Sequence, residues 1–259
     1  MIRLLSILFL FTAFHTRAQD RSLFEKRTYV APDGRTLPYR ILFPENYDET
    51  KKYPLVLFLH GAGERGDDNE KQLVHGVVTF LEPAHRRQFP CIVVAPQCPA
   101  EAYWSSVTVD RSNYPVGLDF DYRSGEEPGS LELAVQLVKR IQKETAVDPK
   151  RVYITGLSMG GMGTFEAVYR YPKLFAAAPV CGGGDAAAYR KKHARIPFWL
   201  FHGDADSVVA VEESRRMYAR LQALGADVEY TEYPGVNHNS WDNAYAEPEL
   251  LPWLFAQRR

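Results

Sequence analysis

Three stretches of the chain are almost continuously apolar, Tyr53–Leu59, Cys91–Pro96 and Ile196–His202, and a fourth, Arg151–Thr155, is β-branched and aromatic between its ends. A strand with one face in water alternates. A strand without alternation is covered on both faces, as in a parallel sheet flanked by helices. Between these stretches the spacing lengthens to the helical repeat. Leu131, Ala134, Val135, Val138 and Ile141 lie on one helical face, with Ser130 as the cap. Val211, Ser214, Met217, Leu221 and Leu224 lie on another, which Gly225 stops. Helices are also expected at Glu70–Leu81, after the turn at Ser158, and at Ala244–Phe255, where Pro248 and Pro252 disturb the pattern. Thr28–Val30 and Leu37–Phe43 flank the turn Ala31-Pro32-Asp33-Gly34 and predict an antiparallel hairpin. Further strands are expected at Leu174–Val180 and Val228–Tyr233. Gln97–Gly129 carries no clear period and is long for a connection. The order predicts an α/β fold: a mostly parallel, doubly wound sheet with helices on both faces and an antiparallel N-terminal hairpin. With no internal repeat or linker, residues 19–259 read as a single domain.

The first residues follow a different logic. Met1-Ile2-Arg3 gives a positive start, Leu4–Phe14 is almost wholly apolar, and Thr16 and Ala18 are small. That is the layout of a signal peptide over residues 1–18, and the apolar run is too short to span a bilayer. Export to the periplasm or exterior is therefore expected, with no integral membrane segment in the mature chain. A formal charge of −1 offers no footprint for nucleic acid. The three cysteines, Cys91, Cys98 and Cys181, are an odd number with no zinc spacing, and read as buried thiols.

The candidate chemistry centres on Gly156-Leu157-Ser158-Met159-Gly160, set between a strand and a helix. A serine in so tight a bend is thrown clear of the sheet, and flanking glycines remove the Cβ atoms that would collide. Its hydroxyl needs a base. Of the seven histidines, His238 follows the last strand in a polar loop, at the carboxyl edge where the serine also emerges. His60 and His202 each end a strand before glycine, where a structural hydrogen bond is the expected role. Asp206 lies deep in the loop after Ile196–His202 and is favoured to orient His238. Asp204 braces the turn, and Asp185 is the outsider. Two amides should hold an oxyanion: that of Met159, and one from His60-Gly61-Ala62-Gly63, with Ala62 preferred and Gly61 next. A phosphate-cradling role for this glycine-rich loop lacks the usual lysine.

His60–Gly66, Ala95–Pro99, Gly156–Gly161 and His238–Trp241 resemble the landmarks of the α/β-hydrolase superfamily. Within it they are similar to the secreted carboxylesterase, feruloyl-esterase-like and "predicted peptidase" group related to dienelactone hydrolase, over about Tyr29 to Phe255. The resemblance implies a serine carboxylic-ester hydrolase without metal or cofactor. Its substrate would be a small ester or an ester-decorated oligosaccharide, with acetyl or feruloyl groups as on plant polysaccharides. Val107–Pro128 is longer than the resemblance leads one to expect, which bears on substrate shape. Tyr103, Trp104 and Trp241 could form an aromatic wall against a sugar or phenolic group, and Glu64 and Arg65 an ion pair bracing their loop. The rival readings are a prolyl-oligopeptidase-type peptidase using the same triad, an inactive carbohydrate-binding homologue, and a lipase. No propeller domain or long apolar lid supports the first or the last.

Overall fold

A computed structural model describes residues 20–123, 126–178 and 180–259. The expected export signal lies outside the described residues. In chain order the strands are β1 (Glu25–Val30), β2 (Thr36–Leu42), β3 (Tyr53–Leu59), β4 (Ile92–Pro96), β5 (Val107–Asp110), β6 (Gly117–Phe120), β7 (Val147–Leu157), β8 (Val180–Cys181), β9 (Phe198–Gly203) and β10 (Val228–Tyr233). The helices are α1 (Pro83–Gln88), α2 (Gly129–Glu144), α3 (Met159–Arg170), α4 (Glu212–Ala223), α5 (Trp241–Ala246) and α6 (Leu250–Ala256). Eight strands form one sheet in the order β1-β2-β4-β3-β7-β8-β9-β10. β2 runs antiparallel to both β1 and β4, and the remaining pairs are parallel.

The unbroken apolar runs have the cause expected of them: the sheet is buried on both faces. Leu55, Leu57 and Leu59 of β3 pack toward Leu131, Leu137 and Val138 of α2, Phe165 of α3 and Met217 of α4. Val56 and Phe58, one residue out of step, pack toward Val77, Phe80 and the Leu250, Leu251 and Leu254 side chains of α6. Each such side chain contributes about 1.5–3 kcal/mol by leaving water, so a one-residue slip in β3 would exchange the two cores.

Four expected elements differ. Glu70–Leu81 forms two 3₁₀ turns, Lys71–Leu73 and Val77–Leu81, on either side of Gly76. Gly76 has φ 65°, outside the right-handed helical region, and a Cβ there would stand 2.6 Å from the Tyr245 ring, so the chain bends at a position that suits only glycine. Of the described residues in Leu174–Val180, Val180 is strand and Ala177 makes an isolated parallel bridge with Tyr153. Ala176–Ala178 runs beside β7 on isolated bonds, from Ala176 N to Val152 O and from Ile154 N to Ala177 O. The closing helix is split into α5 and α6 at Glu247-Pro248-Glu249, because a residue before proline is pushed out of the helical region, and Glu247 is extended. The stretch without clear period contains the β5–β6 hairpin, in which Val109 stands opposite Leu118. Ser130 lies inside the first turn of α2, and its hydroxyl donates to Tyr103 O at 2.5 Å instead of capping the helix.

Candidate active site

β7 and α3 meet at Ser158, whose φ of 53° and ψ of −118° lie in a region that L-residues rarely occupy. Two glycines make that bend sterically feasible. A Cβ on Gly156 would meet Gly160 O at 2.4 Å, and one on Gly160 would meet Leu59 O at 1.9 Å. Ser158 N donates to Cys181 O at 2.7 Å, tying the turn to β8.

The loops after β9 and β10 are joined into one rim. Asp204 Oδ1 accepts Gly235 N at 2.6 Å, Ala205 N donates to Val236 O, and Asn237 Oδ1 accepts the amides of Ser207 and His238. The close approach requires Gly203, where a Cβ would stand 2.1 Å from Val236 O. This rim brings His238 Nε2 to 3.0 Å from Ser158 Oγ, and His238 Nδ1 to 2.8 Å from Asp206 Oδ2. Asp206 Oδ1 accepts the amides of Val208 and Val209 at 2.8 and 2.9 Å. Burial alone would raise the Asp206 pKa, but the hydrogen bonds from His202 and His238 outweigh it and hold the carboxyl well below the usual range. Asp204 is taken up in joining the loops, and Asp185 caps its own turn through Ala188 N.

Ala62 and Gly61 line the cleft at Ser158. Gly61 O is held by His60 Nδ1 and Ala62 O by Arg65 Nε, so the peptide planes of this loop are fixed. Met159 opens α3, where a helix amide has no intrahelical acceptor. The cleft has a volume of about 350 Å³. Its lining includes Tyr103 and Trp241, with Trp241 edge-on to His238 at 5.2 Å between ring centres.

Two expectations fail. Trp104 is fully buried and faces no cleft; its Nε1 donates to His60 O and its ring packs edge-on against His60. It therefore supports the Gly61–Ala62 loop from beneath and forms no part of a substrate wall. Glu64 and Arg65 do not pair: Glu64 faces His75 at 3.8 Å, while Arg65 binds Ala62 O and Ala102 O and lies over the Tyr103 ring. Sequence reasoning also missed one wall of the cleft, where Val109, Arg111, Tyr114, Val116 and Leu118 of the β5–β6 hairpin join Val208 and Val209. The signal was there, as Val107-Thr108-Val109 and Leu118-Asp119-Phe120 alternate, but each strand is only four residues long.

Residues 46–247 match the family model for phospholipases and carboxylesterases. The chain belongs to this family of α/β-hydrolases. Among curated relatives, the carboxylesterase SOBER1 of Arabidopsis thaliana is 28% identical over 194 residues, covering 71% of this chain and 82% of the relative. Acyl-protein thioesterase 1 of Neurospora crassa is 28% identical over 71% of this chain and 80% of its own. A solved thermostable esterase superposes with a TM-score of 0.82 at 39% identity over 92% of this chain, which spans 64% of that esterase. A ferulic acid esterase superposes at TM-score 0.65 and 16% identity over 90% of this chain and 97% of its own, a likeness of fold. Among the described residues no helix is long and apolar enough to cross a membrane.

Proposed function

We propose that this member of an ester-hydrolase family is an exported serine hydrolase that cleaves carboxylic esters through an acyl-enzyme. The observation that carries the reading is the unbroken hydrogen-bond line from Asp206 through His238 to Ser158. Ser158 Oγ attacks the ester carbonyl as its proton passes to His238 Nε2, and Asp206 stabilises the imidazolium. The carbonyl oxygen becomes an oxyanion held by the Met159 and Ala62 amides. Collapse of the tetrahedral intermediate expels the alcohol, which takes the proton from His238. A water then repeats the sequence, freeing the acid and Ser158.

The substrate reading is an ester with an apolar acyl group and a hydroxylated alcohol, of the acetyl or feruloyl polysaccharide type. Its support is a cleft that joins Val109, Leu118 and Val208 to Glu64, His75, Tyr103 and Trp241. Export rests on the pattern of residues 1–18. The test is turnover of a short-chain aryl ester by the wild type and by Ser158→Ala, followed by acetylated and feruloylated oligosaccharides, simple alkyl esters and a peptide. Ser158→Ala should fall to background with an unchanged circular dichroism spectrum. Near-full activity in that variant would overturn the reading.

A further inference from the structure

Asp206 has more partners than the orientation of His238 requires. Its Oδ1 is filled by two backbone amides, and its Oδ2 accepts from His238. The same Oδ2 lies 3.1 Å from Nε2 of a second imidazole, His202, which is 2% exposed near the end of β9. That Nε2 is also 3.1 Å from Val209 O. A carbonyl and a carboxylate oxygen can only accept, so Nε2 carries a proton. Without one, it would face two lone-pair-bearing oxygens in a dry site. The other side of the ring is fixed from α4, where Ser214 Oγ lies 2.7 Å from His202 Nδ1 and 2.6 Å from Gly182 O.

An N–H on Oδ2 has two consequences. It holds the plane of the carboxylate, and it draws on the same negative charge that stabilises the imidazolium of His238. We infer that His202 is a positioning residue: its Nε2–H locks Asp206 and weakens the hold of Asp206 on a proton at His238. The inference rests on the serine-hydrolase reading above. The other ionisable groups around His202 do not supply this bond. Cys181 on β8 is a neutral thiol that burial pushes up to about 12, Glu232 on β10 is tied to Arg215, and Glu213 on α4 to Arg216.

His202→Gln places an amide N–H donor near the position of Nε2, whereas His202→Leu removes the donor. In pH profiles of kcat/KM, which report the free enzyme, the acid limb of His202→Leu should move up by about half a unit or more. Its plateau kcat should fall on the order of tenfold, because a carboxylate freed to rotate orients His238 less accurately. His202→Gln should recover both toward wild type. An unmoved acid limb in a folded Leu variant would overturn the inference. Nitrogen NMR of the histidines in the wild-type protein gives a second reading that no folding defect can obscure. His202 Nε2 should remain protonated while His238 titrates, and a bare Nε2 would overturn the inference alone. A Ser158 that a fluorophosphonate fails to label would remove the serine-hydrolase reading and the inference with it.

Discussion

Asp204 and Asp206 are two residues apart in one loop, yet the structure gives them unrelated work. Asp206 is 8% exposed, buried against His238 and His202, whereas the exposed Asp204 accepts the Gly235 amide. Asp206→Asn can keep the Val208 and Val209 amides on Oδ1 but sets an NH2 group against the Nε2–H of His202 and destabilises the required tautomer of His238, lowering kcat roughly a thousand- to ten-thousand-fold. Asp204→Asn should keep kcat within about threefold and cost at most about 1–2 kcal/mol of stability, since it weakens one loop contact. Aryl-ester kinetics and urea denaturation of the pair separate the roles, and equal losses of kcat would contradict them. At this scale much of the site was legible in the sequence. The strand, tight turn and helix around Ser158 are local, and the loops carrying Asp206 and His238 each follow a strand whose direction the fold dictates. Trp104 was not legible, because its burial depends on His60 and Gly163 packing against it from distant parts of the chain. Nor was His202 on Asp206, for a histidine ending a strand gives no sign of which atom its ring will meet.

Among the elements, the β5–β6 hairpin was least visible in advance and contributes a whole wall of the cleft. Its base is held by Glu166, which lies inside α3 and reads in sequence as an ordinary helix residue. The fully buried Glu166 carboxylate accepts the Ser105 hydroxyl at 2.9 Å and the Ser106 hydroxyl at 2.7 Å, and pairs with Arg170 at 2.7 Å. Within the turn that joins β5 to β6, Val116 N donates to Val208 O, two residues from Asp206. The helix that begins at the serine thus also holds the hairpin wall. Glu166→Ala would take the carboxylate from Arg170 and both serines, leaving Glu126 O to Arg170 and Ser106, and should cost about 3–5 kcal/mol. It should also raise KM for a bulky ester more than for an acetyl ester. Urea denaturation and the two KM values check this, and unchanged stability would contradict it. Long elements with a clear period were read well, whereas Glu70–Leu81 and Ala244–Phe255 failed at Gly76 and Pro248. There, one backbone position outweighs an apolar pattern that continues across it.

For the molecule as a whole, the two cores on either side of the sheet carry the fold, and the site lies where strands of one direction end together. One consequence concerns acid. His60 sits under the Gly61–Ala62 loop, with Nδ1 donating to Gly61 O and Nε2 accepting the Cys98 amide, and burial lowers its pKa to about 4 from 6.5. As pH falls below about 6.5 the unfolded chain takes up this proton before the native one. Stability therefore declines down to about pH 4 and loses nothing further from this group below that. Between pH 7 and pH 5 the loss should be about 2 kcal/mol, measured by urea denaturation. His60→Asn, less stable throughout, should show a shallower dependence, and an unaltered slope would contradict the assignment. The central claim is that Ser158 is a nucleophile activated by His238 and Asp206, and covalent labelling tests it most directly. After exposure to a fluorophosphonate, peptide mass spectrometry should find one adduct, on Ser158, formed rapidly in the wild type and slowed by orders of magnitude in His238→Ala. An unmodified Ser158, or an equal rate without His238, would contradict the account.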